Sequence, residues 1–99
     1  MAMISLDLEF EWDASKAESN FKKHRVSFLE AMETFYDPKG ILIMDMKHSK
    51  EEPRSYWIGQ SRAGRILTTW FTMREAKVRI IGAAELRKYR RLYEAAKAK

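Results

Sequence analysis

The chain has 99 residues, of which 45% are hydrophobic and 12% aromatic, with a formal net charge of +5 and no cysteine. This length suits one domain with a modest core, and the apolar content excludes an intrinsically disordered chain. The absence of cysteine excludes disulfides, iron–sulfur clusters and thiol nucleophiles. No apolar run approaches the roughly 20 residues of a membrane span, and no signal-peptide core opens the chain. We therefore expect a single domain over residues 1–99, located in the cytoplasm.

Charge is distributed unevenly along the chain. Residues 1–46 carry nine acidic and five basic side chains, whereas residues 47–99 carry five acidic and fourteen basic ones, so the two parts have net charges of −4 and +9. This asymmetry favours a polyanion on the basic side and a basic partner on the other. A solvated surface of mixed charge explains the same counts without any partner.

The first third of the chain predicts a strand followed by two helices. Residues 6–12 alternate between apolar and acidic side chains, which is typical of a half-buried strand. Asp13 is placed to cap a helix over about residues 14–24. Ser27, with a glutamate three residues later, forms a capping box that predicts a second helix over about residues 28–36.

After a turn at residues 37–40 the pattern changes from helical to extended. Aromatic and β-branched residues predict strands over residues 41–45, 56–60 and 66–72. The last two form a hairpin that turns at Gly64, where a positive φ is expected. Residues 77–82 alternate, and a final helix is predicted over about residues 85–97. The order β-α-α-β-β-β-α indicates an α+β fold, with helices packed on a mostly antiparallel sheet.

The sequence lacks a glycine-rich phosphate loop and the histidine–glutamate spacings of zinc sites. It does contain side chains that move protons or bind phosphate, at the end of the first helix, in a polar loop and on the strands. They are Lys23, His24, His48, Glu52, Arg54, Arg65, Arg74 and Arg79. Metal-free cleavage of RNA requires such a set: a base for the 2′-hydroxyl, an acid for the leaving 5′-oxygen, and cations for the developing negative charge.

Each of these side chains also has a purely structural explanation. His24 near a helix C-terminus interacts favourably with the helix dipole or simply packs. His48 is explained equally well as a turn residue. The strand arginines are explained by exposure to solvent or by ion pairs with Glu9 and Glu11 on the first strand.

Aromatic residues lie beside the basic ones on the strands. Tyr56, Trp57 and Trp70 suit the stacking of bases in a basic nucleic-acid-binding module. The alternative is core packing, which we expect for at least Trp70.

Several short segments occur in a characteristic order and spacing. In the first half they are Phe10-Glu11-Trp12-Asp13, Lys23-His24, Val26-Ser27-Phe28-Leu29-Glu30-Ala31 and Asp37-Pro38. In the second half they are His48-Ser49, Glu52, Arg54, Gly64-Arg65, Phe71-Thr72, Arg79-Ile80-Ile81 and Tyr93-Glu94. This series runs over nearly the whole chain and resembles the BrnT-type toxins of type II toxin–antitoxin systems.

The resemblance implies a compact RelE-like α+β fold and a metal-independent endoribonuclease, without a cofactor, that inhibits translation and growth. It implies a BrnA-type antitoxin with a ribbon-helix-helix domain, so that operator DNA is bound only through the antitoxin. On the positions that match the family, the catalytic residues would be Lys23, His24, His48, Glu52 and Arg54. The RNA phosphate-binding residues would be Arg65 and Arg79, together with Arg87 from the final helix.

Some positions depart from the family pattern. Arg25 stands where the family usually has glycine, and Gly82 and Ala84 stand where it often has serine and arginine. A lost phosphate-binding arginine removes about 1.5–3 kcal/mol per charged hydrogen bond, which Arg87 or Lys88 in the final helix would have to supply. Three interpretations therefore stay open: an active ribonuclease toxin, a catalytically weakened relative that acts as an antitoxin-binding co-repressor subunit, and a basic RNA-binding module.

The positions of these residues predict where cleavage occurs. We expect the 47–54 loop, the end of the first helix and the strand of Arg79 to converge, with Lys23 or His24 within about 10 Å of Arg79 or Arg65. The antitoxin is expected to cover this site in part, held by apolar anchors while charges set the association rate.

Overall fold

The computed structural model describes residues 8–45 and 54–98. Its elements are β1 (Phe10–Glu11), α1 (Ala14–His24), α2 (Phe28–Glu33), a 3₁₀ turn (Thr34–Tyr36), β2 (Ile41–Asp45), β3 (Arg54–Gln60), β4 (Ile66–Arg74), β5 (Lys77–Ala84) and α3 (Arg87–Lys97). The strands form one sheet in the order β1-β5-β4-β3-β2. All neighbours are antiparallel except β1 and β5, which run parallel. The predicted α+β class with a mostly antiparallel sheet is confirmed.

Two details of the predicted order are wrong. Residues 77–84 form a complete strand, so four strands rather than three lie between α2 and α3. The N-terminal strand is shorter than predicted, because among the residues described only Phe10 and Glu11 pair with β5. Leu6 and Asp7 of the predicted strand lie outside the described residues. Trp12 leaves the strand and packs edge-on against Phe28.

The helix caps follow from local chemistry. The Asp13 carboxylate accepts hydrogen bonds from the first-turn N–H groups of α1, and Ser27 accepts one from the Glu30 N–H, as predicted. α1 ends at Arg25, which has a left-handed φ of 58° and donates its N–H to the Phe21 carbonyl. Glycine adopts that conformation without strain, which accounts for the glycine that the resemblance leads one to expect at this position. Arg25 adopts this strained conformation, and its guanidinium lies over the Phe21 ring.

The main core lies between α1, α2 and one face of the sheet. Its buried residues are Val26, Phe28, Ala31, Leu67, Phe71, Val78, Ile80 and Ala83. Trp57 packs against this cluster, with its ring stacked on Phe35 and its indole N–H donated to the Thr34 carbonyl. Because neighbouring residues of a strand point to opposite faces, Tyr56 lies on the other face, where it meets Tyr89 of α3. α3 therefore packs on the face opposite to α1 and α2.

The prediction that Trp70 packs in the core is wrong. The side chains of β4 that point toward α1 and α2 are those of Leu67, Thr69 and Phe71. Trp70 therefore points to the opposite face, which carries α3. There it is half-buried beside Tyr56 and His24. Trp57 fills the core position instead.

The buried side chain of Asn20 joins α1 to the edge of β5. Its amide donates to the Ala83 and Val26 carbonyls, and its oxygen accepts from the Ala83 N–H. β1 covers this edge of β5 only at Val78 and Arg79, so Asn20 replaces a strand partner further along. This contact fixes the end of α1 against the sheet.

Candidate active site

Two rows of side chains cross the face of the sheet that carries α3. In the first row Tyr56 is opposite Trp70, and Trp70 is opposite Gly82. In the second row Thr72 is opposite Arg79, and Arg79 is opposite Glu11. Directly opposed residues share a face, and Trp70 and Thr72 are two residues apart on β4, so the rows lie about 7 Å apart. These rows form the floor of the candidate site.

Arg54 extends the second row. It begins β3, two residues before Tyr56, and therefore points to the same face. The backbone of Arg54 pairs with that of Asp45 on β2. Its half-exposed side chain adds a second guanidinium to this face, after that of Arg79.

His24 reaches the first row from the last turn of α1. Its ring meets that of Trp70 edge-on, with centroids 6.1 Å apart and planes at 86°. Lys23 precedes it and is exposed. Both lie in the last turn of α1, where positive charge is favourable to the helix dipole. The position of His24 is thus explained by the helix dipole and by packing. Its contact with Trp70 also places an imidazole ring beside the two rows.

The aromatic rings on this face form a continuous series. Tyr56 lies 6.4 Å from Trp70 and 5.9 Å from Tyr89, measured between ring centroids. At the far end the Lys88 ammonium lies 5.4 Å from the Tyr89 ring centre. We call His24, Trp70, Tyr56 and Tyr89 the aromatic strip. All four are half-buried, so each ring is fixed by packing yet keeps exposed surface.

Arg79 forms an ion pair with Glu11 at 3.3 Å, and each side chain is slightly less than one-third exposed. An ion pair with Glu11 is the purely structural reason that the sequence suggests for an arginine on a strand. The pair uses one terminal nitrogen, while a guanidinium carries five N–H donors. Among the described residues, Glu11 therefore leaves Arg79 with further donors for a phosphate.

Arg65 is engaged differently. Its Nε and one terminal nitrogen bind both carboxylate oxygens of Glu30, and its guanidinium also donates to the Arg25 carbonyl and to Glu85. The hydrogen bond from Arg65 lowers the pKa of Glu30, and that same bond raises the pKa of Arg65. Four of its five N–H donors are thus occupied by protein groups.

The structure does not bring Arg65 together with Arg79. Arg65 lies just before β4, and Thr72, opposite Arg79, follows seven residues later. At about 3.3 Å per residue this is roughly 23 Å along the strand. Arg65 instead touches the residue after His24, so it holds the end of α1.

The remaining predicted residues lie at the margins of the site or outside the described residues. Arg87 is exposed in the first turn of α3, two residues before Tyr89 of the aromatic strip. His48 and Glu52 lie outside the described residues. Among residues 8–45 and 54–98 no group of three or more histidine, aspartate or glutamate side chains is arranged to hold a metal ion. No helix in these ranges is long and apolar enough to cross a membrane.

Sequence reasoning missed the roles of Gly82 and Tyr89. A Cβ on Gly82 would lie 2.3 Å from the Trp70 ring, so only glycine lets the indole rest there. The sequence did mark Gly82 as unusual, because it departs from the family serine. That Gly82 lies opposite Trp70 could not be predicted, because the strand register includes a bulge between Trp70 and Phe71.

Comparisons with known proteins agree with this structure. The family model described as "Ribonuclease toxin, BrnT, of type II toxin-antitoxin system" matches residues 12–89. A crystal structure of the Brucella abortus ribonuclease toxin BrnT superposes with a TM-score of 0.62 at 17% identity, covering 80% of this chain and 96% of that one. No curated protein matches the sequence. The chain belongs to the BrnT family of ribonuclease toxins of type II toxin–antitoxin systems.

Proposed function

We propose that this protein is a metal-independent endoribonuclease toxin, formed as one BrnT-like domain over residues 1–99, that acts on RNA in the cytoplasm. The observation that carries the proposal is the contact of His24 with Trp70, in the row next to Arg79. This contact places an imidazole, which can transfer protons, beside the row that neighbours a guanidinium, which can bind phosphate.

The chemistry follows from what these side chains can do. A base removes the proton of a ribose 2′-hydroxyl, whose oxygen attacks the adjacent phosphorus. The bond to the 5′-oxygen breaks, and an acid protonates that oxygen. The products are a 2′,3′-cyclic phosphate and a 5′-hydroxyl. We assign proton transfer to His24 together with His48 and Glu52, and stabilisation of the phosphate oxygens to Arg79, Arg54, Lys23 and Arg87.

We assign Arg65 a positioning role. Its guanidinium links Glu30 on α2 to the Arg25 carbonyl, next to His24. Moving it to a phosphate would leave the Glu30 carboxylate without its main partner, in a site where only about one-fifth of that side chain is exposed. Arg65 therefore supports the site from a distance and does not touch the RNA.

RNA cleavage by the purified protein tests this function. We expect cleavage of single-stranded RNA in EDTA, with 2′,3′-cyclic phosphate ends, and no cleavage where the scissile ribose is 2′-deoxy. His24→Gln should lower the rate about 10²–10⁴-fold, the usual range for a general acid or base. Arg62→Gln, at the exposed tip of the β3–β4 hairpin, is the matched control for Arg79→Gln. A requirement for added metal ion, or 5′-phosphate products, would refute the mechanism.

We propose a BrnA-type ribbon-helix-helix antitoxin as the partner, with operator DNA bound only through it. The exposed basic residues of α3 favour an acidic partner surface that accelerates association, while apolar anchors hold the complex. Raising salt from 0.1 to 1 M shortens the Debye length from about 10 to 3 Å, so association should slow while dissociation barely changes. Complete loss of the complex at 1 M salt would refute apolar anchoring.

The residues at the end of β5 favour a second candidate, a catalytically weakened toxin that serves as a co-repressor subunit. Gly82 cannot be serine while Trp70 keeps its position, and Ala84 is only 2% exposed, so neither family side chain fits without repacking. Inducible expression in bacteria separates the two candidates. Growth arrest that the antitoxin relieves supports the active toxin. A stable antitoxin complex without toxicity or RNA cleavage supports the co-repressor.

A further inference from the structure

We propose that the aromatic strip binds an unpaired RNA base next to the cleaved phosphate, with Trp70 as the residue on which that base stacks. The inference rests on the proposed function and adds to it a site that recognises the base rather than the phosphate. It also gives a role to Gly82, which departs from the family pattern and leaves room for the Trp70 ring.

Trp70 is held as a rigid platform. Its indole lies against the backbone of Gly82, where a Cβ would approach to 2.3 Å, and the His24 ring meets it edge-on. Tyr56 lies on its other flank at 6.4 Å. A ring fixed on several sides but still partly exposed loses little conformational entropy when a base stacks on it.

Charge around the strip favours a nucleotide as the occupant. Arg79 lies on β5 in the next row, opposite Thr72, and the two rows are about 7 Å apart, which suits a phosphate attached to a base that stacks on the indole. Lys88 lies over Tyr89 at the opposite end of the strip. Aromatic surface with cations along its border is the usual pattern for binding single-stranded nucleic acid.

Binding of a non-cleavable RNA tests the inference apart from cleavage. The probe is a dye-labelled, fully 2′-O-methylated oligonucleotide, which a 2′-hydroxyl mechanism cannot cut, and affinity is read from fluorescence anisotropy. Trp70→Leu keeps apolar bulk but removes the aromatic face, and should weaken binding about 5- to 150-fold, equivalent to about 1–3 kcal/mol per stacked base. Trp70→Phe should recover part of this loss. The matched control is Tyr36→Leu, which replaces an exposed aromatic residue on the face of the sheet that carries α1 and α2. It should leave the RNA affinity unchanged.

Abasic substitutions along the oligonucleotide identify the stacked base. One abasic position should weaken binding to the wild-type chain and have no further effect on Trp70→Leu, because both changes remove the same contact. If Trp70→Leu is poorly folded by circular dichroism, Trp70→Phe is compared with the wild type on the same series, and the abasic penalty should shrink.

Each outcome separates the two proposals. Unchanged RNA affinity in Trp70→Leu, or an abasic penalty that persists in full at every position, overturns the base site even if the wild type cleaves RNA. Loss of antitoxin binding without loss of RNA binding also overturns it, since the strip would then belong to the antitoxin interface. The expected binding pattern without any cleavage supports the base site and overturns only the proposed catalysis.

Discussion

Replacing Asn20 with alanine should destabilise the protein far more than its place on a short polar helix indicates. The residue is 8% exposed and makes three hydrogen bonds, of 2.9, 3.0 and 3.1 Å, to backbone groups of Ala83 and Val26. At about 1 kcal/mol per hydrogen bond, Asn20→Ala should lower the free energy of unfolding by about 3 kcal/mol. For a chain of this length that corresponds to a fall in Tm of about 12–24 °C.

Urea denaturation followed by circular dichroism measures the effect. The midpoint should fall by about 1–3 M with an unchanged slope, because the surface exposed on unfolding stays the same. Asn20→Asp should be about as damaging, since a carboxylate accepts from the Ala83 N–H but cannot donate to either carbonyl. Ser19→Ala, on the exposed side of the same helix, is the control. A loss for Asn20→Ala within about 1 kcal/mol of that control would refute the bridging role.

Two further predictions concern titratable groups. Arg65 depresses the pKa of Glu30, so this pair stabilises the fold above the ordinary carboxylate pKa near 4.5 and loses its effect as the pH falls below that value. Glu30→Gln should therefore be destabilised at pH 7 but converge on the wild type in acid, and a parallel pH profile would contradict this. Burial and the hydrogen bond to Asp37 raise the pKa of Tyr93 to about 12, so stability from this phenol is present below pH 10 and lost between pH 10 and 12. Tyr93→Phe should lose about 1.5–3 kcal/mol at pH 7 in thermal melts and show a flatter alkaline limb; an alkaline limb as steep as that of the wild type would rule this out.

Features governed by neighbouring residues could be predicted from the sequence. The caps at Asp13 and Ser27 depend on residues two or three positions away, and Gly64 has the expected positive φ of 89°. Each of these depends on interactions within one turn of a helix or one hairpin.

The side of the sheet on which Trp70 lies could not be predicted in this way. β4 carries apolar or threonine side chains on both faces, because α1 and α2 cover one face and α3 covers part of the other. Its sequence therefore shows no alternation of polar and apolar residues that would tell which side chains point to which face. Pairs distant in sequence were equally hidden. Arg65 and Glu30 are 35 residues apart, and Asn20 and Ala83 are 63 apart. The chemical type of each side chain indicated which partners it could bind, but only the tertiary fold determined which of those partners it binds.

Gly82 and Trp70 form one structural unit, and this changes how the missing family serine should be weighed. Because a Cβ at residue 82 and the indole of Trp70 exclude each other, the loss of serine is not independent evidence for lost activity. Trp70 itself places a large ring against His24, the residue to which we assign proton transfer. The glycine that stands in place of the expected serine thus makes room for an aromatic surface that packs against His24 and on which we propose that a base stacks. Arg79 and Arg54 lie on the same face as this surface, so the side chains that the proposed mechanism uses are kept, and this supports our proposal of an active toxin over that of a weakened one.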